Sequence, residues 1–370
     1  MEIKNNVDRQ YFELIKFILK DGVHKRDRTG TGTISVFDYS MKFNMDEGFP
    51  LLTSKKMFMK GIVHEIIWFL SGSTNIKYLV DNDVHIWDGD CYKKYSTSQC
   101  AIKWLFNKAG KEPCENDDFY RHYTKDEFIA KIKTDDEFAK EWGDLGPVYG
   151  SQWRKWNNPE LYPENENSDG SECGSYSESH IDQIQNLIND LKNNPDSRRL
   201  MVTAWNPADV PNSVLPPCHY LFQCYTQEMS LEERSSRWCK SLDKHISYGG
   251  EMTHESLDSL GFAKRKLSLK WNQRSTDVGL GLSFNIASYA LLLHLLSREV
   301  NMIPYELIFS GGDVHIYQNH VDGLREQLTH NTYKLPRLKL NNTSIYNFGY
   351  DDFEMIGYES SPTIKLILSN

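Results

Sequence analysis

The sequence predicts a protein of the α/β or α+β class. Helix-like and strand-like stretches mix along the whole chain, and each kind carries its own apolar period. Leu267, Leu269 and Trp271 recur at every second residue, as on one face of a strand. Ile181, Ile184, Leu187, Ile188 and Leu191 recur at the spacing that lines one face of a helix.

The elements follow in order. Tyr11, Leu14, Ile15 and Ile18 place a helix over residues 11–21, and Gly22 can end it. The polar turn Arg28-Thr29-Gly30-Thr31-Gly32-Thr33 leads into the strand-like Ile34–Phe37. Residues 61–71 form an almost wholly apolar helix interrupted by His64 and Glu65. Leu200–Trp205, His219–Tyr225 and Leu267–Trp271 read as strands. Phe284–Val300 is a long buried helix, and the strand-like Tyr305–Phe309 follows it.

One domain over 1–370 is expected, with inserted stretches at about 89–141, 157–179 and 227–265. The first mixes charge and aromatics and holds a helix at 125–140. The second is acidic and rich in Asn, Ser and Glu, as in a mobile surface loop. The third is charged and shows no clear period.

Composition narrows the function classes. Hydrophobic residues make 39% and charged residues 25% of the chain, as in ordinary soluble proteins. No apolar run approaches the roughly 20 residues of a membrane span. The opening Met1-Glu2-Ile3-Lys4 lacks the apolar core of a secretory signal, so a cytoplasmic location is expected. A net charge of −9 argues against an obligate nucleic-acid partner but leaves room for a small anion in an arginine-lined pocket. The seven cysteines include no CxxC pair and are odd in number, so neither a disulfide framework nor a metal site is expected.

Five places could carry chemistry. Cys218, in Leu215-Pro216-Pro217-Cys218-His219, stands at a loop–strand junction where a cation could make it a thiolate nucleophile; otherwise it is a structural cysteine. In Gln273-Arg274-Ser275-Thr276-Asp277, a guanidinium beside a hydroxyl suits a phosphate, or else marks a solvated strand end. Asp196-Ser197-Arg198-Arg199 could serve the same anion or be surface charge. Arg28 lies in a Gly/Thr-rich turn whose free N–H groups favour an anion. Glu65 sits among Ile62, Val63, Ile66, Ile67, Phe69 and Leu70, so it is either a carboxyl of raised pKa suited to moving protons or half of a structural salt bridge.

Taken together, these stretches resemble the thymidylate synthase family. Asp27–Thr33, Gly48–Thr53, His64–Leu70, Asp144–Gly150, Asp196–Arg199, Pro216–His219, Gln273–Asp277, Phe284–Tyr289 and Gly311–Tyr317 match its motifs in order. They cover most of the chain outside the three insertions. The resemblance implies a three-layer sandwich around a large mixed β-sheet, working as a homodimer whose subunits pack sheet against sheet. It implies reductive methylation of dUMP to dTMP with 5,10-methylenetetrahydrofolate as co-substrate.

The roles it implies fall on named residues. Cys218 would attack C6 of the pyrimidine, Glu65 would manage protons through water, and Tyr149 would help remove the C5 proton. Arg274 would hold phosphate and favour the Cys218 thiolate. Arg28, Ser275 and Gln273 would join the nucleotide site with His219, and Arg198 and Arg199 would come from the partner subunit. His315 and Tyr317 would bond the 3′-hydroxyl. Asn285 would read uracil, because one carboxamide matches O4 and N3–H; by itself it could equally be a helix N-cap. In the cytosine-specific hydroxymethylases that resemble these enzymes, aspartate stands at that place. Asp277 would bind the folate pterin, Trp87 would flank it, Lys55 would meet the glutamate tail, and Ile86, Gly281 and Phe284 would line the same pocket.

Three places depart from the pattern. Ser283 replaces a usual proline, which would loosen the turn and add a hydroxyl near Asn285. Asp88-Gly89-Asp90-Cys91-Tyr92 is unusually polar, and the chain ends in Ser369-Asn370 rather than a small apolar residue. A wetter pocket would favour a hydroxymethylase acting on dUMP, or less readily dCMP, without oxidising the folate. A non-catalytic nucleotide- or RNA-binding paralogue is the alternative from another class.

Overall fold

Asn5 starts the first helix with its side chain, which accepts the Asp8 N–H, and Gly22 closes it by donating to the Ile18 carbonyl. This helix, α1 (Asn6–Asp21), buries Tyr11, Leu14, Ile15 and Ile18 as expected and begins earlier than the apolar pattern did, because the cap lies upstream of it. The computed structural model describes residues 2–27, 29–108, 122–161, 176–241, 252–341 and 343–368.

After α1 come β1 (Val23–Lys25), β2 (Thr33–Asn44), α2 (Met59–Leu70), α3 (Lys77–Asp81) and α4 (Asp88–Lys108). Next are α5 (Lys125–Thr134), α6 (Asp136–Trp142), α7 (Tyr149–Arg154), β3 (Trp156–Leu161) and β4 (Tyr176–Ile181). Then follow α8 (Gln183–Asn193), β5 (Met201–Thr203), β6 (His219–Glu228), α9 (Leu231–Ser241) and α10 (His254–Ser259). The chain continues through β7 (Arg265–Asp277), α11 (Gly281–Glu299), β8 (Ile303–Tyr317), α12 (Val321–Gln327), β9 (Arg337–Leu340) and β10 (Phe353–Ile356). Two compact units emerge. One comprises Met1–Phe58, Ile184–Thr203 and Cys218–Ser369, and the other Met59–Gln183 with Ala204–Pro217.

The first unit is built on a six-stranded sheet in the order β1-β2-β8-β7-β6-β5. Strands β7 and β8 run parallel and every other neighbouring pair is antiparallel, which is the mixed sheet expected. Parallel neighbours need a crossover, and α11 supplies it. One face of the sheet carries Phe222, Leu269, Trp271, Leu307 and Phe309, all fully buried, and α11 packs on β7 and β8. Other strand residues face outward: Phe37 is 83% exposed, Tyr225 64% and Met201 45%. Within a single chain, this apolar surface is uncovered.

In the second unit α2 packs on α7, and the aromatic rings of Trp68, Phe69, Trp87, Tyr149 and Trp153 cluster between elements. The expected helix at 125–140 is split. Thr124 and Glu127 form a capping box for α5, and Asp135 both ends α5 and caps α6 by accepting the Phe138 N–H. Tyr95 of α4 meets Tyr92, Tyr123, Phe128, Phe138 and Trp142, so the first insertion has its own aromatic core.

The described parts of the other two insertions carry secondary structure. The flanks of 157–179 pair as antiparallel strands from Trp156↔Ile181 to Leu161↔Tyr176; residues 162–175, where most of the expected surface loop falls, lie outside the described residues. The third insertion holds α9 and α10, organised by Arg234. That side chain is 1% exposed and donates to Asp258 and to the carbonyls of Ala263, His254 and Phe262. A buried cation saturated with acceptors holds together two helices too short and charged to show a clear period. Among the described residues no helix is long and apolar enough to cross a membrane, and no group of three or more His, Cys, Asp or Glu could hold a metal ion.

Candidate active site

Cys218 immediately precedes β6, and the β6–β7 register shifts between His219 and Leu221. Such an irregularity re-aims side chains at a strand end. The Arg274 N–H donates to the Cys218 carbonyl at 2.8 Å, and the Arg274 guanidinium donates to Cys218 Sγ at 3.9 Å. The sulfur is partly exposed, and a neighbouring cation stabilises thiolate over thiol. Cys91 and Cys224 are different: both are buried, and burial pushes each thiol up to about 12. Those two are structural cysteines, and Cys218 has a nucleophile's surroundings.

A chain of hydrogen bonds leads from the sheet to Asn285. The Trp271 indole N–H donates to Gln273 Oε1 at 3.2 Å, and Gln273 Nε2–H donates to Asn285 Oδ1 at 3.2 Å and to the Ser275 carbonyl at 3.1 Å. An indole N–H can only donate, so the oxygen of Gln273 must face Trp271 and its NH2 must face Asn285. The acceptor it meets is then the oxygen of Asn285. Helix α11 begins at Gly281, with Leu280 in the capping position, so Asn285 is not its N-cap.

His219 is buried, and its Nδ1 meets the Tyr289 hydroxyl at 2.8 Å. Tyr289 stacks on Trp271, with 5.1 Å between centroids and 9° between planes. Burial lowers the His219 pKa to about 3, so its imidazole is neutral at physiological pH. Ser283 departs from the expectation drawn for it. Its side chain is buried and its hydroxyl donates to the Leu280 carbonyl at 3.0 Å, so it braces the first turn of α11 instead of wetting the Asn285 amide.

In the second unit, α2 carries Glu65 and the bend before α4 carries Ile86 and Trp87. The Trp87 indole N–H donates to Glu65 Oε1 at 2.9 Å. Burial raises the Glu65 pKa to about 7, and the Trp87 hydrogen bond opposes that rise only in part. Near neutrality the carboxyl therefore holds and releases its proton with equal ease. The salt-bridge alternative falls away, because its described partner is an indole. Tyr149, at the start of α7, is buried against Trp87 and Phe69, with centroids 6.1 and 4.9 Å away. Asp88 bonds His85 at 2.7 Å in the first turn of α4, so the polar stretch after Trp87 is helix.

The remaining site residues divide by surroundings. Asp277 accepts the Gly279 and Leu280 N–H groups with Oδ1 and so shapes the turn into α11, while Gly281 and Phe284 stand in that first turn. Lys55 is 4% exposed; its ammonium donates to the Gly279 carbonyl at 2.7 Å, and burial lowers its pKa to about 8 despite the nearby Asp277. Its head group lies beneath the start of α11, not at the surface. Ser275 stands on β7 opposite Asp313 of β8. His315 and Tyr317 share one face of β8, their rings 5.1 Å apart. Arg198 and Arg199 are exposed ahead of β5, while Asp196 of the same motif holds Arg265 at 2.7 Å. Arg28 lies outside the described residues, as do Ser369 and Asn370.

Sequence reasoning did not single out Trp271, Tyr289 or Asp313, which position Gln273, His219 and His315. A signal existed for Asp313: it stands two residues before His315 on a strand, which puts both on one face.

Comparison with known proteins gives the same reading. The family model for thymidylate synthase matches residues 9–370. The chain is 38% identical over 357 residues to a thymidylate synthase of Mycoplasma genitalium, covering 96% of this chain and 98% of that protein. It is 38% identical over 372 residues to a thymidylate synthase of Listeria monocytogenes, covering 98% and 99%, and 39% identical over 357 residues to one of Mesoplasma florum, covering 96% and 98%. A match over nearly the whole of each chain leaves no large segment unexplained, and the chain belongs to the thymidylate synthase family of methyltransferase enzymes.

Proposed function

We propose that this enzyme converts dUMP to dTMP, taking the one-carbon unit from 5,10-methylenetetrahydrofolate and releasing dihydrofolate. The observation that carries the choice of substrate is the Gln273–Asn285 hydrogen bond. It holds the Asn285 amide in one orientation, and a fixed donor–acceptor pair discriminates the O4/N3–H edge of uracil from the inverted edge of cytosine.

The Cys218 thiolate adds to C6 of the ring, forming the S–C6 bond and moving electron density to C5 and O4. Arg274 stabilises the attacking sulfur and supports the phosphate with Arg28 and Ser275. C5 then bonds the methylene carbon of the folate, and loss of the C5 proton, helped by Tyr149, expels the folate nitrogen from that carbon. Glu65, with its pKa near neutrality, passes protons through water to and from O4 and the folate. The folate supplies both the carbon and the hydride that completes the methyl group, and expulsion of Cys218 restores the double bond.

The residues assigned to the folate fit a flat polar heterocycle. Asp277 keeps Oδ2 without a hydrogen-bond partner among the described residues, and Phe284 is partly exposed. Ile86, Trp87, Gly281 and Lys55 are the other residues assigned to the folate. His315 and Tyr317 would bond the 3′-hydroxyl, and His219 would support the nucleotide as a neutral imidazole.

A second copy of the chain completes the reading. The exposed Phe37, Tyr225 and Met201 support a sheet-to-sheet homodimer in which Arg198 and Arg199 serve the partner's phosphate site. Free thiols at Cys91, Cys218, Cys224 and Cys239 suit the cytoplasm.

One incubation tests the function: dUMP and 5,10-methylenetetrahydrofolate, with dihydrofolate absorbance and nucleotide mass followed together. Dihydrofolate rising in step with a methylated nucleotide is the expected result. A hydroxymethyl product without dihydrofolate would replace this reading.

A further inference from the structure

Asp313 is the hub of a small polar network on the edge of the six-stranded sheet. Its Oδ1 accepts the Ser35 hydroxyl at 2.7 Å and lies 3.1 Å from His315 Nδ1, while its Oδ2 meets the Lys25 ammonium at 3.0 Å. Three adjacent strands supply these groups: Lys25 on β1, Ser35 on β2, and Asp313 with His315 on β8. Ser35 stands directly opposite His315 in the β2–β8 register, so the carboxylate is clamped by a rigid framework rather than by a loop.

The protonation state of this network follows from its donors. Burial alone would raise the Asp313 pKa, but the bonds from Ser35 and Lys25 outweigh it and keep the pKa below the ordinary carboxylate value. An ionised carboxylate has no hydrogen to give. The proton between Asp313 Oδ1 and His315 must therefore belong to Nδ1, and the neutral imidazole then carries its lone pair on Nε2. Among the described residues Nε2 has no hydrogen-bond partner, so that lone pair is available to a ligand.

We propose that Asp313 is a positioning residue that locks His315 in the Nδ1–H tautomer, so that Nε2 accepts a hydrogen bond and selects nucleotides whose 3′ group can donate one. The inference rests on the reading that His315 meets the sugar. It goes beyond that reading by naming what sets the polarity of the contact. A 3′-hydroxyl satisfies the acceptor, whereas a 3′-hydrogen or a 3′-fluorine leaves it unpaired.

The test compares kcat/KM for dUMP and for 2′,3′-dideoxyuridine monophosphate in the full-length enzyme. The wild type prefers dUMP. In Asp313→Ala, where either tautomer is open to His315, that preference falls by about tenfold, the worth of roughly one hydrogen bond. The loss appears mainly in KM for dUMP, with kcat changing less. His315→Ala is the control, and it must lower the same preference. If His315→Ala leaves the preference intact, His315 is not at the sugar and the underlying reading falls. If His315→Ala removes it and Asp313→Ala does not, only the role of Asp313 falls. Should Asp313→Ala fail to fold, 15N spectra of histidine-labelled wild-type enzyme decide: a His315 protonated at Nδ1 alone supports the proposal, and one that carries a proton on Nε2 overturns it.

Discussion

Gln273 donates to Asn285 Oδ1 across 3.2 Å, and the same amide accepts the Trp271 indole N–H at its other end. A donor that cannot reverse therefore sets the orientation of two carboxamides in series. This is the neighbour that an asparagine needs if it is to distinguish uracil from cytosine, since a free amide could turn to match either base.

Replacing the middle of this chain should change what is read. Gln273→Glu keeps the acceptor for Trp271 but has no hydrogen for Asn285, whose amide would then turn to donate. The kcat/KM ratio of dUMP to dCMP should fall by about tenfold or more, measured with both nucleotides in competition. An unchanged ratio would mean that another group reads the base.

Cys218→Ala should bind dUMP in a calorimeter with an affinity close to wild type and show no turnover. The side chain lost is the nucleophile, while Arg274 and Asn285 remain in place. Substantial residual activity would remove Cys218 from its role.

Glu65 links activity to stability through pH. Its pKa is raised by burial from 4.5 to about 7, so between those values the folded enzyme keeps a proton that the unfolded chain has released. Stability must therefore fall as pH rises through that window. In Glu65→Gln, which keeps an acceptor for Trp87, the loss between pH 5 and pH 8 should shrink by on the order of 3 kcal/mol. Urea titrations at the two pH values measure this, and the limb of the kcat/KM profile near pH 7 should disappear in the variant. Parallel pH dependences in the two proteins would contradict the assignment.

Tyr289→Phe removes the hydroxyl that buried His219 Nδ1 meets at 2.8 Å, and this should cost about 1–3 kcal/mol. Equilibrium urea denaturation reads that loss as a lower midpoint with an unchanged slope. A midpoint equal to wild type would mean that another group replaces the hydroxyl.

The shared-site reading has its own test. Arg198→Ala/Arg199→Ala and Cys218→Ala should each be nearly inactive alone. Mixed and allowed to exchange subunits, they should regain up to about one site in four, because one mixed site has both an intact cysteine and intact arginines. No recovery in a mixture that sedimentation shows to be exchanged would place the arginines in their own subunit's site.

Much was legible from the chain alone. The period-two apolar residues of Leu267–Trp271 and the apolar run after Phe284 marked a strand and a helix, because buried faces repeat with the geometry of their element. The motifs around Cys218, Arg274 and Asn285 identified the family and its chemistry. Less legible were elements specified by caps and single buried hubs. The Asp135 cap that splits a helix and the Arg234 hub that gathers α9 and α10 leave no apolar period.

The sequence by itself determined which chemistry-bearing residues exist and in what local order, since motif and period are short-range properties. Only the tertiary structure decided what those residues can do. Arg274 and Cys218 lie 56 positions apart, and their approach depends on the pairing of β6 with β7. The Asn285 amide is oriented by Gln273 twelve positions away, and the pKa of Glu65 is set by the water that folding removes. The physical reason is common to all three. Charge, protonation and amide orientation depend on neighbours within a few ångströms, and chain separation does not specify those neighbours.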